Sequence, residues 1–144
     1  MQKIHFPLLA GGLIALVFYG CHKNNDSPEA INFQNLAGTY KVTAVVLSQG
    51  SIKVNYYDSI DVCQKDDLFK FNKDSSFQYV DAGMVCNPNG SFSATWSLTG
   101  NILTVAGGNG VATVQSLTSK TMVLVSSDTT YSPAVLTTET YARQ

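Results

Sequence analysis

The sequence predicts an all-β domain, an antiparallel up-and-down meander closed into a small barrel of eight or nine strands and stapled by one disulfide. Three observations predict it. From about Leu36 onward the chain is a succession of short runs rich in Val, Thr, Tyr, Phe and Leu, cut by Gly, Asn, Asp, Ser and Pro. Within those runs apolar and polar residues alternate, so each strand has one dry and one wet face, as in an antiparallel sheet rather than a parallel sheet covered on both sides. The connections are short, which joins sequential neighbours as hairpins and leaves little room for crossovers. Closure then follows, because a flat meander would keep two exposed edges.

The strands are read at 38–47, 51–58, 66–72, 76–82, 91–98, 102–106, 111–117, 121–127 and 134–142. In the first, Tyr40, Val42, Ala44 and Val46 fall on one face. Phe69 and Phe71 share a face of the third with Lys70 opposite, and Phe77 and Tyr79 do the same in the fourth. In the fifth, Phe92, Ala94, Trp96 and Leu98 alternate with Ser91, Ser93, Thr95 and Ser97. Turns are expected at 72–75, 99–101, 107–110 and 118–120. No window supports a long amphipathic helix; Glu29 to Leu36 holds at most one or two turns before the first strand.

Residues 1–20 have a different character. Lys3 precedes an apolar run from Phe6 to Tyr19, shortened by Pro7, Gly11 and Gly12, and Gly20 stands directly before Cys21. The run is too short and too interrupted for a spanning helix, and it has the charged start, apolar middle and small residue of an export signal. Gly20-Cys21 resembles the lipobox of bacterial lipoproteins. That resemblance implies removal of 1–20, acylation of Cys21 with palmitate-like chains, and a membrane contact made by lipid rather than by protein surface. Residues 21–35 then serve as lipidated Cys and polar tether, and 36–144 as the barrel domain. In the lipoproteins this resembles, an Asp after the cysteine tends to hold the protein at the inner membrane; His22 stands there instead, so the resemblance implies that outer-membrane delivery within the bacterial cell envelope is permitted, facing the periplasm or the outside.

The mature chain keeps eight basic residues of nine, against ten acidic ones, a formal charge of 8 − 10 = −2. This offers no basic field for nucleic acid. Cys63 and Cys86 remain as an even pair in an oxidising compartment. Their midpoint falls between Asp74 and Ser75, inside an expected turn. A hairpin pairing Phe71 with Phe77 and Phe69 with Tyr79 brings Cys63 within one residue of facing Cys86, close enough for a disulfide. Metal binding by the two thiols would need further ligands, and the one mature histidine, His22, sits in the tether.

Leu36-Ala37-Gly38-Thr39-Tyr40, Cys63-Gln64-Lys65-Asp66-Asp67-Leu68-Phe69-Lys70-Phe71, Asp74-Ser75-Ser76-Phe77 and Ala94-Thr95-Trp96-Ser97-Leu98 together resemble the lipocalin-like domains of bacterial lipoproteins. Gly38-Thr39-Tyr40 is similar to the Gly-x-Trp opening of lipocalins, with Tyr40 in the place of Trp. The resemblance implies a calyx-like barrel and a pocket for a small hydrophobic ligand.

Tyr40, Phe69, Phe71, Phe77, Tyr79 and Trp96 are the inward aromatic residues that would line such a pocket. They would equally fill a solid barrel, and small barrels are more often filled than hollow. The acidic residues Asp58, Asp61, Asp66 and Asp67 lack the order of a calcium loop and read as a solvated rim. Without a histidine in the folded part, no Ser-His-Asp or Cys-His nucleophile can be assembled. The glycines at 107–110 lack the lysine of a phosphate loop. No enzyme and no cofactor is expected. The two functional readings are a lipid-anchored carrier of a small hydrophobic molecule and a structural or protein-docking module with a solid barrel.

Overall fold

The computed structural model describes residues 27–107 and 110–144. The leader 1–20, Cys21, and the first part of the tether lie outside the described residues. What is described is almost entirely β: a one-turn helix α1 (Phe33–Leu36) followed by β1 (Gly38–Gln49), β2 (Ile52–Asn55), β3 (Leu68–Phe71), β4 (Ser76–Val80), β5 (Phe92–Thr99), β6 (Ile102–Val105), β7 (Gly110–Leu117), β8 (Thr121–Asp128) and β9 (Val135–Arg143). Every pairing is antiparallel. Sequential neighbours pair from β3 to β9, β9 pairs with β1 from Tyr40 to Gln49, and β3 pairs with the start of β1. That closes an eight-strand barrel. The ninth strand, β2, pairs only with the far half of β1, Val46 to Gln49.

The register explains which side chains face inward. Leu68 to Phe71 pairs with Val80 to Phe77, so Phe69 faces Tyr79 and Phe71 faces Phe77 as the sequence predicts. The inward face expected of β1 needs correcting beyond Val42. The pairing with β9 slips by one residue between Val42 and Ala44, a bulge that leaves Thr43 exposed and turns Val45 inward in place of Ala44 and Val46. A second bulge, between Val114 and Ser116 of β7, delivers Leu117 opposite Met122 in the core. The strand expected at 51–58 stops at Asn55. There the Asn55 side chain accepts from the Tyr57 N–H at 3.2 Å and donates to Asp58 at 3.0 Å, folding the chain into a 3-10 turn at Tyr57–Ser59.

One end of the barrel is plugged. Asn32 caps α1 by accepting from the Asn35 N–H at 2.9 Å, Leu36 is fully buried, and Phe33 stacks on Trp96 with ring centroids 4.2 Å apart. Trp96 is held from the other side by the 72–75 turn, donating its indole N–H to Asn72 O at 2.8 Å. The later part of the expected tether belongs to this plug. Pro28 bridges Thr118, and the Glu29 N–H bonds Leu117 O at 2.8 Å, so from Pro28 onward the chain is docked on the barrel rather than a free spacer.

Candidate ligand cavity at the open end of the barrel

Away from the plug, the interior is not filled. A cavity of about 330 Å³ lies toward the end where β5 and β7 begin and β6 finishes. Phe69, Phe71 and Phe77 line it from β3 and β4, with Phe92, Leu103 and Ala112 continuing the apolar surface. The rings meet edge-on or tilted: Phe71 and Phe77 at 5.0 Å, Phe69 and Tyr141 at 5.1 Å, Phe77 and Phe92 at 5.8 Å. Such pairs stabilise by about 0.5–1.5 kcal/mol each beyond the area they bury.

The opposite wall, on β8 and β9, carries polar groups beside Leu124. Ser126, Glu139 and Tyr141 face the cavity there, and the Tyr141 hydroxyl donates to Glu139 Oε2 at 2.9 Å. Burial, and after it the charge of Glu139, pushes the Tyr141 phenol well above its ordinary value, so it stays a donor. In register Glu139 stands between Val45 of β1 and Leu124 of β8, both buried, which fixes it as an inward residue.

The chain between β4 and β5 lies at the same end of the barrel as the cavity. Cys63 and Cys86 form a disulfide with Cα atoms 5.3 Å apart. Asp81, 6% exposed, accepts from the N–H groups of Cys86 at 3.0 Å and Gly90 at 2.9 Å. Asp67, 1% exposed, accepts from the Ala82 N–H at 3.1 Å and from the Tyr79 hydroxyl. Asp66 accepts from the Met84 N–H at 2.9 Å. Gly83 is required beside it: its φ is +57°, and a Cβ there would lie 2.1 Å from Asp66 Oδ2. The solvated rim read from the sequence therefore holds for Asp58 and Asp61, which are exposed, but not for Asp66 and Asp67. Those two fold the loop. Among the described residues no cluster of His, Cys, Asp and Glu has the geometry to hold a metal ion.

Of the six aromatic residues named from the sequence, Phe69, Phe71 and Phe77 line the cavity. Tyr40 and Trp96 lie in the plug, almost fully buried. Tyr79 is not in the lining; it is bonded to Asp67 and stacked on Phe92, and its phenol is raised well above its ordinary value by burial and then by that bond. Glu139, Tyr141 and Ser126 were not among them. The signal was present, since Glu139 and Tyr141 are two apart on one strand and must share a face.

A family model for the lipocalin-like domain matches residues 36–124, from the end of α1 into β8. Searches of the curated proteins and of the solved structures returned no match. The matched residues make up more than half of the chain and contain the disulfide and the aromatic wall of the cavity, and α1 enters the match only with Leu36; this protein belongs to the lipocalin-like domain family.

Proposed function

We propose that this protein is a lipid-anchored lipoprotein of the bacterial cell envelope, at the outer membrane, whose barrel holds a small hydrophobic or amphipathic ligand and performs no catalysis. The cavity carries the proposal. Its volume of about 330 Å³ is at the small end of ligand pockets, and its lining is mostly apolar with a few convergent polar groups. Anchoring rests on Gly20-Cys21 at the end of an apolar leader. No helix among the described residues is long and apolar enough to cross a membrane.

Anchoring at Cys21 would also orient the barrel. Pro28 docks beside Thr118 at the plugged end, and fully extended chain from Cys21 to Pro28 spans at most about 25 Å. The plug then faces the bilayer and the cavity faces away from it, so ligand arrives from the aqueous side. One experiment tests both halves. Native mass spectrometry of protein extracted from the membrane fraction is expected to show added mass that denaturation releases, beyond the acyl chains. Cys21→Ser is expected to move the protein to the soluble fraction. Ligand-free protein from cells would defeat the carrier reading.

A second reading, a protein-docking module, draws on β2. Ile52 and Val54 are exposed there, with Tyr56 exposed just beyond its end, and β2 pairs only with β1 among the described strands.

A further inference from the structure

The cavity is lopsided. Aromatic and aliphatic side chains of β3 to β7 make one wall, whereas Ser126, Glu139 and Tyr141 gather on the β8–β9 wall. Glu139 is the one ionisable carboxylate in the lining, and no Lys or Arg side chain among the described residues joins it. Tyr141 satisfies Oε2, and Oε1, which is not one of the buried atoms left without a partner, is accessible from the cavity. A carboxylate set among Val45, Leu124 and aromatic rings gains from a donor that carries opposite charge. A ligand carboxylate would meet Glu139 as a like charge with no cation to offset it.

Resting on the carrier reading above, we infer that the ligand is an amphipathic amine, its alkyl or aromatic body against the phenylalanines and its ammonium head on Glu139. Tyr141 acts as a positioning residue, holding the carboxylate against the wall from Oε2 and presenting Oε1 to the cavity. These residues lie beyond the 36–124 stretch that defines the family match, so head-group choice belongs to this chain's last strand.

Octylamine, octanol and octanoate titrated calorimetrically into the full-length protein separate the possibilities. Octylamine is expected to bind at least tenfold more tightly than octanoate, about 1.4 kcal/mol. Glu139→Gln should bring the two toward parity, and Glu139→Asp, which keeps the charge, should keep the amine ahead. Octanoate binding as tightly as octylamine to the unaltered protein would overturn the inference without any variant. So would an amine preference that survives Glu139→Gln. Octanol binding without amine preference removes only the head-group assignment, whereas failure of all three probes removes the carrier reading and this inference with it.

Discussion

The guanidinium of Arg143 lies over the ring of Tyr40, 5.1 Å from its centroid, and its Nη2 donates to the Tyr40 hydroxyl at 2.7 Å. The two residues belong to the last and first strands and are direct partners in the β1–β9 register. The same nitrogen donates to Asn35 O, and the Tyr40 hydroxyl donates onward to Leu36 O at 2.7 Å. One cation thus joins barrel closure to the plug. Burial raises the Tyr40 phenol, and the Arg143 charge opposes that rise.

Arg143→Met keeps an apolar stem of similar length but removes the cation and its donors. Loss of a desolvated cation–π contact and two charge-assisted hydrogen bonds is expected to lower unfolding free energy by about 3 kcal/mol. Tyr40→Phe removes only the hydroxyl and is expected to cost about 1–2 kcal/mol. Urea unfolding followed by Trp96 fluorescence reports both, because Trp96 stacks on the plug residue Phe33. An unchanged midpoint for Arg143→Met would mean the plug holds without it.

The disulfide closes a separation of 23 residues that contains the whole β3–β4 hairpin. Replacing both cysteines by Ser is expected to cost about 3 kcal/mol in the chain-entropy model. The barrel should survive, since Asp66, Asp67 and Asp81 still hold the loop by its backbone N–H groups. Limited proteolysis of the variant should cut first between Asp81 and Ser91. Cutting elsewhere first would show that the carboxylates, not the crosslink, set the loop's stability.

Much of this fold can be read from residue patterns because its determinants are local. Alternation places Phe69, Phe71, Phe77 and Tyr79 on one face, a hairpin about the 72–75 turn pairs them, and that pairing, which the structure reproduces, brings Cys63 within one residue of facing Cys86. The bulge at Thr43 is different. No local residue marks it, since it arises from fitting β1 against β9, nearly a hundred residues away. The same distance hides the site. Phe71 and Phe77 announce a dry interior, but whether space remains depends on how eight strands curl together. The burial of Asp66 and Asp67 is not legible either, because apart from the Tyr79 hydroxyl on Asp67 their partners are backbone N–H groups of a later loop, which leave no trace in side-chain type.

Alkaline pH should destabilise the protein. The phenols of Tyr40, Tyr79 and Tyr141 are raised above their ordinary value of 10.0, so the folded state keeps these protons when the unfolded chain has begun to lose them. The stability this represents is fully present below about pH 10 and is lost as pH climbs beyond it toward the folded-state values. Urea midpoints are expected to be flat on the neutral side and to fall steeply above about pH 10. Tyr79→Phe should reduce that slope. At neutral pH it should itself cost about 1–3 kcal/mol, by leaving Asp67 without its hydroxyl donor.

Ala112→Phe separates a hollow barrel from a solid one. Ala112 faces the cavity from β7, paired in register with the buried Leu103, and lies clear of Arg143, the plug and the disulfide. A benzyl group there has the cavity's about 330 Å³ to enter. Filling unoccupied apolar space typically raises stability by about 0.5–2 kcal/mol, whereas forcing a ring into a packed core costs about 1–3 kcal/mol. The sign of the stability change therefore reports whether the interior is empty. The expected outcome is an unfolding midpoint held or raised, together with loss of octanol binding by at least tenfold, or about 1.4 kcal/mol. A lowered midpoint would place the phenylalanines of β3 and β4 in a filled core, and the exposed edge of β2 would then be the surface through which this protein acts.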